Sequence, residues 1–247
     1  MVRLVAKIKQ TLDEENKQKD KESNQKKLVH AKRTAELAEN EIKTGFPLLH
    51  ALAVVNLWTF LEALIHSFMC SWIKNIPNSL LIDPIPKLKI KIGDYERLNK
   101  AERISYIAEL LDKELGAGLR HGVNRFEVLL EPLGLSGSIP DWVRRDIYEL
   151  AQVRNAIVHR IGVTDRQLKN ECPWLKLKLG DEIVVTHKMF TNYMEAAHSY
   201  VTELIYRVGE KYGVDMSKER SHLQKKPRRK NLPNDGMQPI GPTGRGG

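Results

Sequence analysis

Apolar positions recur at helical spacing through most of the chain. An apolar pattern begins at Leu28, Val29, Ala31 and Ala35 and runs on to Ile42, and Thr44-Gly45-Phe46-Pro47 then breaks it. Leu48 to Ile73 follows as one long helix, apolar nearly all round, which predicts a central place in the core. Pro77, Pro84 and Pro86 interrupt regular structure. Lys87-Leu88-Lys89-Ile90-Lys91-Ile92 then alternates like a strand ahead of the turn signal Gly93-Asp94. A helix is predicted from about Ala101 to Leu115, with Ile104, Ile107, Ala108, Leu110 and Leu111 inward, and a short one from about Val123 to Leu130.

Ser138-Ile139-Pro140-Asp141 combines capping side chains, a proline and an acid, the signature of a helix start. That helix runs from about Asp141 to His159 on a stripe of Trp142, Val143, Ile147, Leu150, Ala151, Val153, Ile157 and Val158, and Gly162 stops it. Leu175-Lys176-Leu177-Lys178-Leu179 and Glu182-Ile183-Val184-Val185, joined through Gly180-Asp181, predict a small β-hairpin. A last helix spans about His187 to Tyr212. There is no alternation of strand and helix, no internal repeat and no Gly-rich phosphate loop. The expected fold class is all-α: a helical bundle with a small β-hairpin before the last helix.

Polar segments flank this middle. Asp13 to Lys27 has no apolar residue and balances five acids with five bases, the composition of a solvated helix or flexible extension. The chain carries 40 Lys+Arg against 31 Asp+Glu, a net +9. From Lys218 onward eight bases (Lys218, Arg220, Lys225, Lys226, Arg228, Arg229, Lys230, Arg245) face two acids (Glu219, Asp235), so +6 of that charge lies in the tail. Rich in Pro and Gly and poor in large apolar residues, the tail is expected to be disordered. Its run Lys225-Lys226-Pro227-Arg228-Arg229-Lys230 suits a polyanion, or serves only to solubilise. The expected organisation is a polar extension over 1–27, a helical domain over 28–213 and a basic tail over 214–247.

Two cysteines, Cys70 and Cys172, are too few for a disulfide scaffold or a four-thiolate zinc site. Cys70, among Phe68, Met69 and Trp72, is expected to be a buried thiol. Residues 1–10 lack the apolar core of a signal peptide, so a cytoplasmic protein is expected. Leu48 to Ile73 is long enough to span a bilayer, but Glu62 near its centre would cost about 2.5–3.5 kcal/mol there, which favours a core helix and no membrane.

The chemistry-bearing segment is Val153-Arg154-Asn155-Ala156-Ile157-Val158-His159-Arg160. Asn155 and His159, four apart, share a helix face, and Arg154 lies about 140° round the axis from His159, a reach its side chain can cover. A histidine in the last turn can take and give a proton, and an arginine can hold a phosphate through two parallel hydrogen bonds. An asparagine can orient either. Such a trio suits RNA cleavage without a metal, the guanidinium stabilising charge on the transition state. The same residue types near a helix end also serve merely as caps and solvated surface. Glu62 and His66, four apart, lack an evident third metal ligand, and a satisfied core pair is expected instead. His187 and His198 are expected at the surface.

Arg154-x4-His159, with Asn155 directly after the arginine and the turn Ile161-Gly162-Val163-Thr164-Asp165 following, resembles the motif of the HEPN superfamily (higher eukaryotes and prokaryotes nucleotide-binding). Asn56-Leu57-Trp58-Thr59-Phe60-Leu61-Glu62-Ala63-Leu64 is similar to that family's earlier core helix with its single glutamate, and the segment before the last helix resembles that of stand-alone bacterial members. The resemblance covers roughly residues 28–208. It implies a helical bundle that homodimerises, bringing two motifs to one cleft, and a metal-independent endoribonuclease acting as a toxin or phage-defence effector. Products with a 2′,3′-cyclic phosphate and a 5′-hydroxyl are implied. Arg154, His159 and Asn155 would be catalytic, Glu62 would support them by pairing with Arg154 or else be satisfied by another helix, and Arg160 and the tail bases Lys225, Lys226, Arg228, Arg229 and Lys230 would hold RNA. No cofactor or metal is implied; an antitoxin or defence-system protein is the further partner. A tyrosine that some members carry two positions after the motif histidine is Ile161 here, which puts regulation at that tyrosine in doubt. The alternative is a catalytically inactive HEPN-like protein that binds RNA or acts as a scaffold.

Overall fold

The computed structural model describes residues 24–215, and these are mostly helical. Helix α1 occupies residues 24–44, α2 Pro47–Asn75, α3 Ile92–Glu96, α4 Lys100–Glu114, α5 Asn124–Leu130, α6 Asp141–Arg160, α7 Arg166–Glu171 and α8 His187–Lys211. Short 3-10 turns lie at Ser79–Leu81, Ile85–Lys87, Ala117–Leu119 and Pro173–Leu175. The all-α class, and the expected helices over 101–115, 123–130, 141–159 and 187–212, match these bounds to within a residue or two. The chain divides into two units between Tyr200 and Val201, inside α8. In the second unit α8 continues to Lys211, with Leu204 and Tyr206 buried and Arg207 within 3.5 Å of Glu203.

The first unit is organised on α2, which packs against α4, α5 and α6. Val54, Trp58, Leu61, Ile65, Met69, Trp72 and Ile73 are buried, spaced three and four apart along one face. The other face is not covered: Leu48, Leu49 and Leu52 are 60%, 60% and 55% exposed and Phe60 58%. The expectation of a helix buried all round is therefore corrected. Among the described residues α4, α5 and α6 pack on the face that carries the buried stripe and leave these side chains to solvent. By length and composition α2 could also cross a membrane.

Two strand expectations fail. Leu88 to Lys91 is irregular, and the Gly93-Asp94 turn signal falls inside α3. The lysines alternate with apolar residues, but among the described residues no segment pairs with them. The hairpin over 175–185 does not form either; among the described residues there are no strands, only an isolated antiparallel bridge, Val163 with Glu182. Ile183 N–H donates to Gly162 O at 2.7 Å, Thr164 N–H to Asp181 O at 2.8 Å and Gly180 N–H to Thr164 O at 2.9 Å. The second arm thus spends its backbone bonds on the turn that leaves α6. Ile183 and Val185 are still buried alternately, as their period of two requires.

Local signals explain the helix ends. Asn99 and Glu102 form a capping box on α4, and Asp165 caps α7, a helix the apolar pattern did not predict. Gly122, at φ 58°, enters α5 with its Cα hydrogens against the α6 backbone; a Cβ there would meet Tyr148 Cα at 2.9 Å. Substitution on the two faces of α2 should separate them. Leu61→Ala, at a fully buried position, should cost about 2–5 kcal/mol in urea unfolding. Leu49→Ala on the exposed face should cost no more than about 0.5 kcal/mol.

Candidate functional site

The candidate site lies at the C-terminal end of α6, and the interior holds that helix through a buried carboxylate. Glu149 is 8% exposed; one oxygen accepts from Tyr193 Oη of α8 at 2.8 Å and the other from Trp174 Nε1. The Arg145 guanidinium lies 4.7 Å from the Trp174 ring centroid, a cation–π contact. Tyr148 donates to Glu171 of α7. A buried carboxylate without donors would cost several kcal/mol, so these bonds tie α6 to the segments that follow it. Burial, with Glu149 and Glu171 nearby, pushes the Cys172 thiol up to about 12. Burial and the Glu149 carboxylate also push the Tyr193 hydroxyl well above its ordinary range.

Beyond this anchor α6 delivers the motif. Arg154 and Asn155 are half-buried, and Arg154 Nη1 donates to Asn155 Oδ1 at 3.1 Å. Arg154 Nε is buried with no hydrogen-bond partner. His159 is exposed in the last turn, on the helix end where the dipole favours a cation. Arg160 Nε donates to Asp165 Oδ2 at 3.3 Å, and its Nη1 to the His159 carbonyl at 3.3 Å. The helix ends at Ile161, which adopts left-handed φ 54° and is 92% exposed. A β-branched residue rarely takes that conformation. Here both the Ile161 and Gly162 N–H groups turn back to the Ala156 carbonyl, which fixes the chain's exit beside His159.

The fold brings Arg154 and Asn155 together and leaves His159 at the surface on the same helix. Glu62 is engaged elsewhere: Arg125 Nη2 of α5 lies 3.4 Å from its Oε1 and 3.9 Å from Asp112 Oδ2. Of the two roles left open for Glu62, satisfaction by another helix is the one its contacts match. These groups and His66 line a cavity of about 430 Å³ walled by Ile65, Met69, Ala108, Phe126 and Leu129, and none of Arg154, Asn155 or His159 lines it. His66 lies 3.5 Å from Ser105 Oγ and 3.8 Å from Cys70 Sγ. Cys70 is half-buried rather than buried, because α2 turns it away from the core stripe. Its thiol is pushed up by partial burial and by Glu109. Among the described residues no group of three His, Cys, Asp or Glu side chains is arranged to hold a metal. Lys225, Lys226, Arg228, Arg229 and Lys230 lie outside the described residues.

Sequence reasoning missed the pair His50–His187, whose nitrogens approach to 3.4 Å with Phe190 stacked on His50. These residues are far apart in sequence, and no periodicity links them. It also missed the Glu149 anchor; the hint was an acid at a position between Ile147 and Leu150 on the buried side of α6. No family model, curated protein or solved structure matches the chain.

Two measurements test the anchor. Tyr193→Phe removes a donor from a buried carboxylate and should destabilise the protein by about 1–3 kcal/mol in denaturant unfolding. A thiol pushed up in the folded state stabilises fully below its unfolded pKa near 9 and loses that contribution as pH rises towards 12. Stability should therefore fall with pH above about 9, and less steeply in Cys172→Ala.

Proposed function

We propose that this protein is a metal-independent endoribonuclease of the HEPN type, with Arg154 and His159 of α6 as its catalytic pair and Asn155 as the residue that positions Arg154. The observation that carries the reading is a half-buried guanidinium whose Nε has no hydrogen-bond partner and whose Nη1 is held by Asn155, on the same helix end as an exposed imidazole. Such a guanidinium retains hydrogen-bonding capacity for a phosphate, and Asn155 limits its rotation. An exposed imidazole can exchange protons with a bound substrate and with water.

The chemistry is in-line attack of the ribose 2′-oxygen on the adjacent phosphorus. The bond from phosphorus to the 5′-oxygen breaks, leaving a 2′,3′-cyclic phosphate and a 5′-hydroxyl. His159 transfers the proton, either from the 2′-hydroxyl or to the leaving oxygen, and Arg154 stabilises the charge on the phosphoryl oxygens. One motif supplies one imidazole, whereas two motifs on a two-fold axis supply a base and an acid together, so the active form is a homodimer. Arg160, loosely tied to Asp165 and largely exposed, and the basic tail are the proposed RNA-holding groups. A toxin or phage-defence role in the cytoplasm, with an antitoxin or defence-system partner, is the biological setting that this activity suits.

The purified protein should cleave single-stranded RNA in excess EDTA. His159→Ala and Arg154→Ala should each slow cleavage by about 10²–10⁴-fold while binding RNA at comparable strength. Cleavage by both variants at the parent rate, or strict dependence on a divalent ion, would contradict the proposal. Tight RNA binding with no cleavage would favour a non-enzymatic RNA-binding role.

A further inference from the structure

Helix α1 has an apolar side that is exposed and that no other described residue covers. Residues 24–40 are all exposed, Leu28 by 57% and Ile42, further on, by 64%. Leu28, Ala31, Ala35, Ala38 and Ile42, spaced three and four apart, form one stripe about 21 Å long. The stripe is nearly symmetric about Ala35: a large residue stands seven positions to either side, and alanines fill the middle. Small central residues allow two helix backbones to approach closely.

The charges beside the stripe are segregated. Residues 24–34 hold Lys26, Lys27, Lys32 and Arg33 and no acid, whereas residues 35–44 hold Glu36, Glu39 and Glu41 with Lys43. Lys27 and Glu41 flank the stripe on one side, and Lys32 and Glu39 on the other.

We propose that α1 pairs antiparallel with α1 of a second copy of this chain, with Ala35 at the two-fold axis. Leu28 then packs on Ile42 of the partner subunit. Lys32 meets Glu39 of the partner subunit, Lys27 meets Glu41 of the partner subunit, and the symmetry repeats each pair. A parallel arrangement would set Lys27 beside Lys32 of the partner subunit, so the charges select the antiparallel one. Glu39 meanwhile holds Lys43 within its own helix at 2.8 Å, an exposed pair that can re-form across the interface. Glu41 also receives the Leu48 N–H at 3.1 Å, which makes Lys32–Glu39 the more informative pair to alter. Leu48, Leu49 and Leu52 at the start of α2 are exposed as well. A bilayer suits this stripe less well, because the bulky side chains of an interfacial helix are replaced by alanines and both signs of charge flank it.

The pairing deepens the proposed function by supplying the second copy that a shared cleft needs. Its test reads mass rather than cleavage: a dimer indifferent to Ala35→Lys overturns the pairing and leaves the proposed function standing, and a dimer that cleaves no RNA does the reverse. In sedimentation equilibrium the full chain should be dimeric at micromolar concentration. Ala35→Lys sets two like charges at the axis and should give monomers; lysine is a good helix former, so the circular dichroism should not change. Lys32→Glu should weaken the dimer by roughly tenfold or more, and Lys32→Glu with Glu39→Lys should restore it. A monomeric parent chain, a dimer indifferent to Ala35→Lys, or failure of the double reversal to restore association would overturn the proposal. So would a monomer that floats with phosphatidylcholine–phosphatidylserine vesicles.

Discussion

A buried carboxylate constrains how the first unit is assembled. Glu149 stands on α6 among Ile147, Leu150 and Ala151, all buried, where an ion without donors is not tolerated. Its two oxygens draw Tyr193 from α8 and Trp174 from the turn after α7. Two segments, 25 and 44 residues further along the chain, are thereby fixed to one helix. The motif rides on the same helix: Arg154 lies five residues beyond Glu149, and His159 a further five. The position of the candidate site is therefore set from the interior, although its imidazole faces solvent.

Periodicity made the helices legible. Buried positions spaced three and four apart run through α2, α4, α6 and α8, and the observed bounds follow the apolar spacing because tertiary burial and helix geometry select the same residues. Alternation was a poorer guide. Lys87 to Ile92 and Leu175 to Leu179 have the period of a strand, yet a strand needs an edge to pair with, and that partner is not encoded in the segment itself. The second arm of the expected hairpin found its partner in the turn at Gly162–Thr164, which only the path of the chain after α6 could supply.

The site was legible as residue types and spacing, and less so as contacts. Asn155 directly after Arg154 is bonded to it, as their adjacency allows. Glu62 could not be assigned from sequence, since a lone acid in an apolar helix takes whichever cation the neighbouring helix presents. Here that is Arg125, from a short helix with little pattern of its own. The apolar excess of α2 likewise concealed which of its faces would be covered. Only contacts with α4, α5 and α6 distinguish the stripe through Val54, Leu61 and Ile65 from the exposed leucines at its start.

In the proposed reaction His159 transfers the proton and Arg154 stabilises the phosphoryl charge, so RNA is cleaved with no metal. The most direct measurement is mass spectrometry of the ends left on a defined RNA oligonucleotide after incubation in EDTA. Paired fragments ending in a 2′,3′-cyclic phosphate and beginning with a 5′-hydroxyl are expected, absent when His159 is replaced. Fragments with 3′-hydroxyl and 5′-phosphate ends, or an intact oligonucleotide, would contradict this reaction.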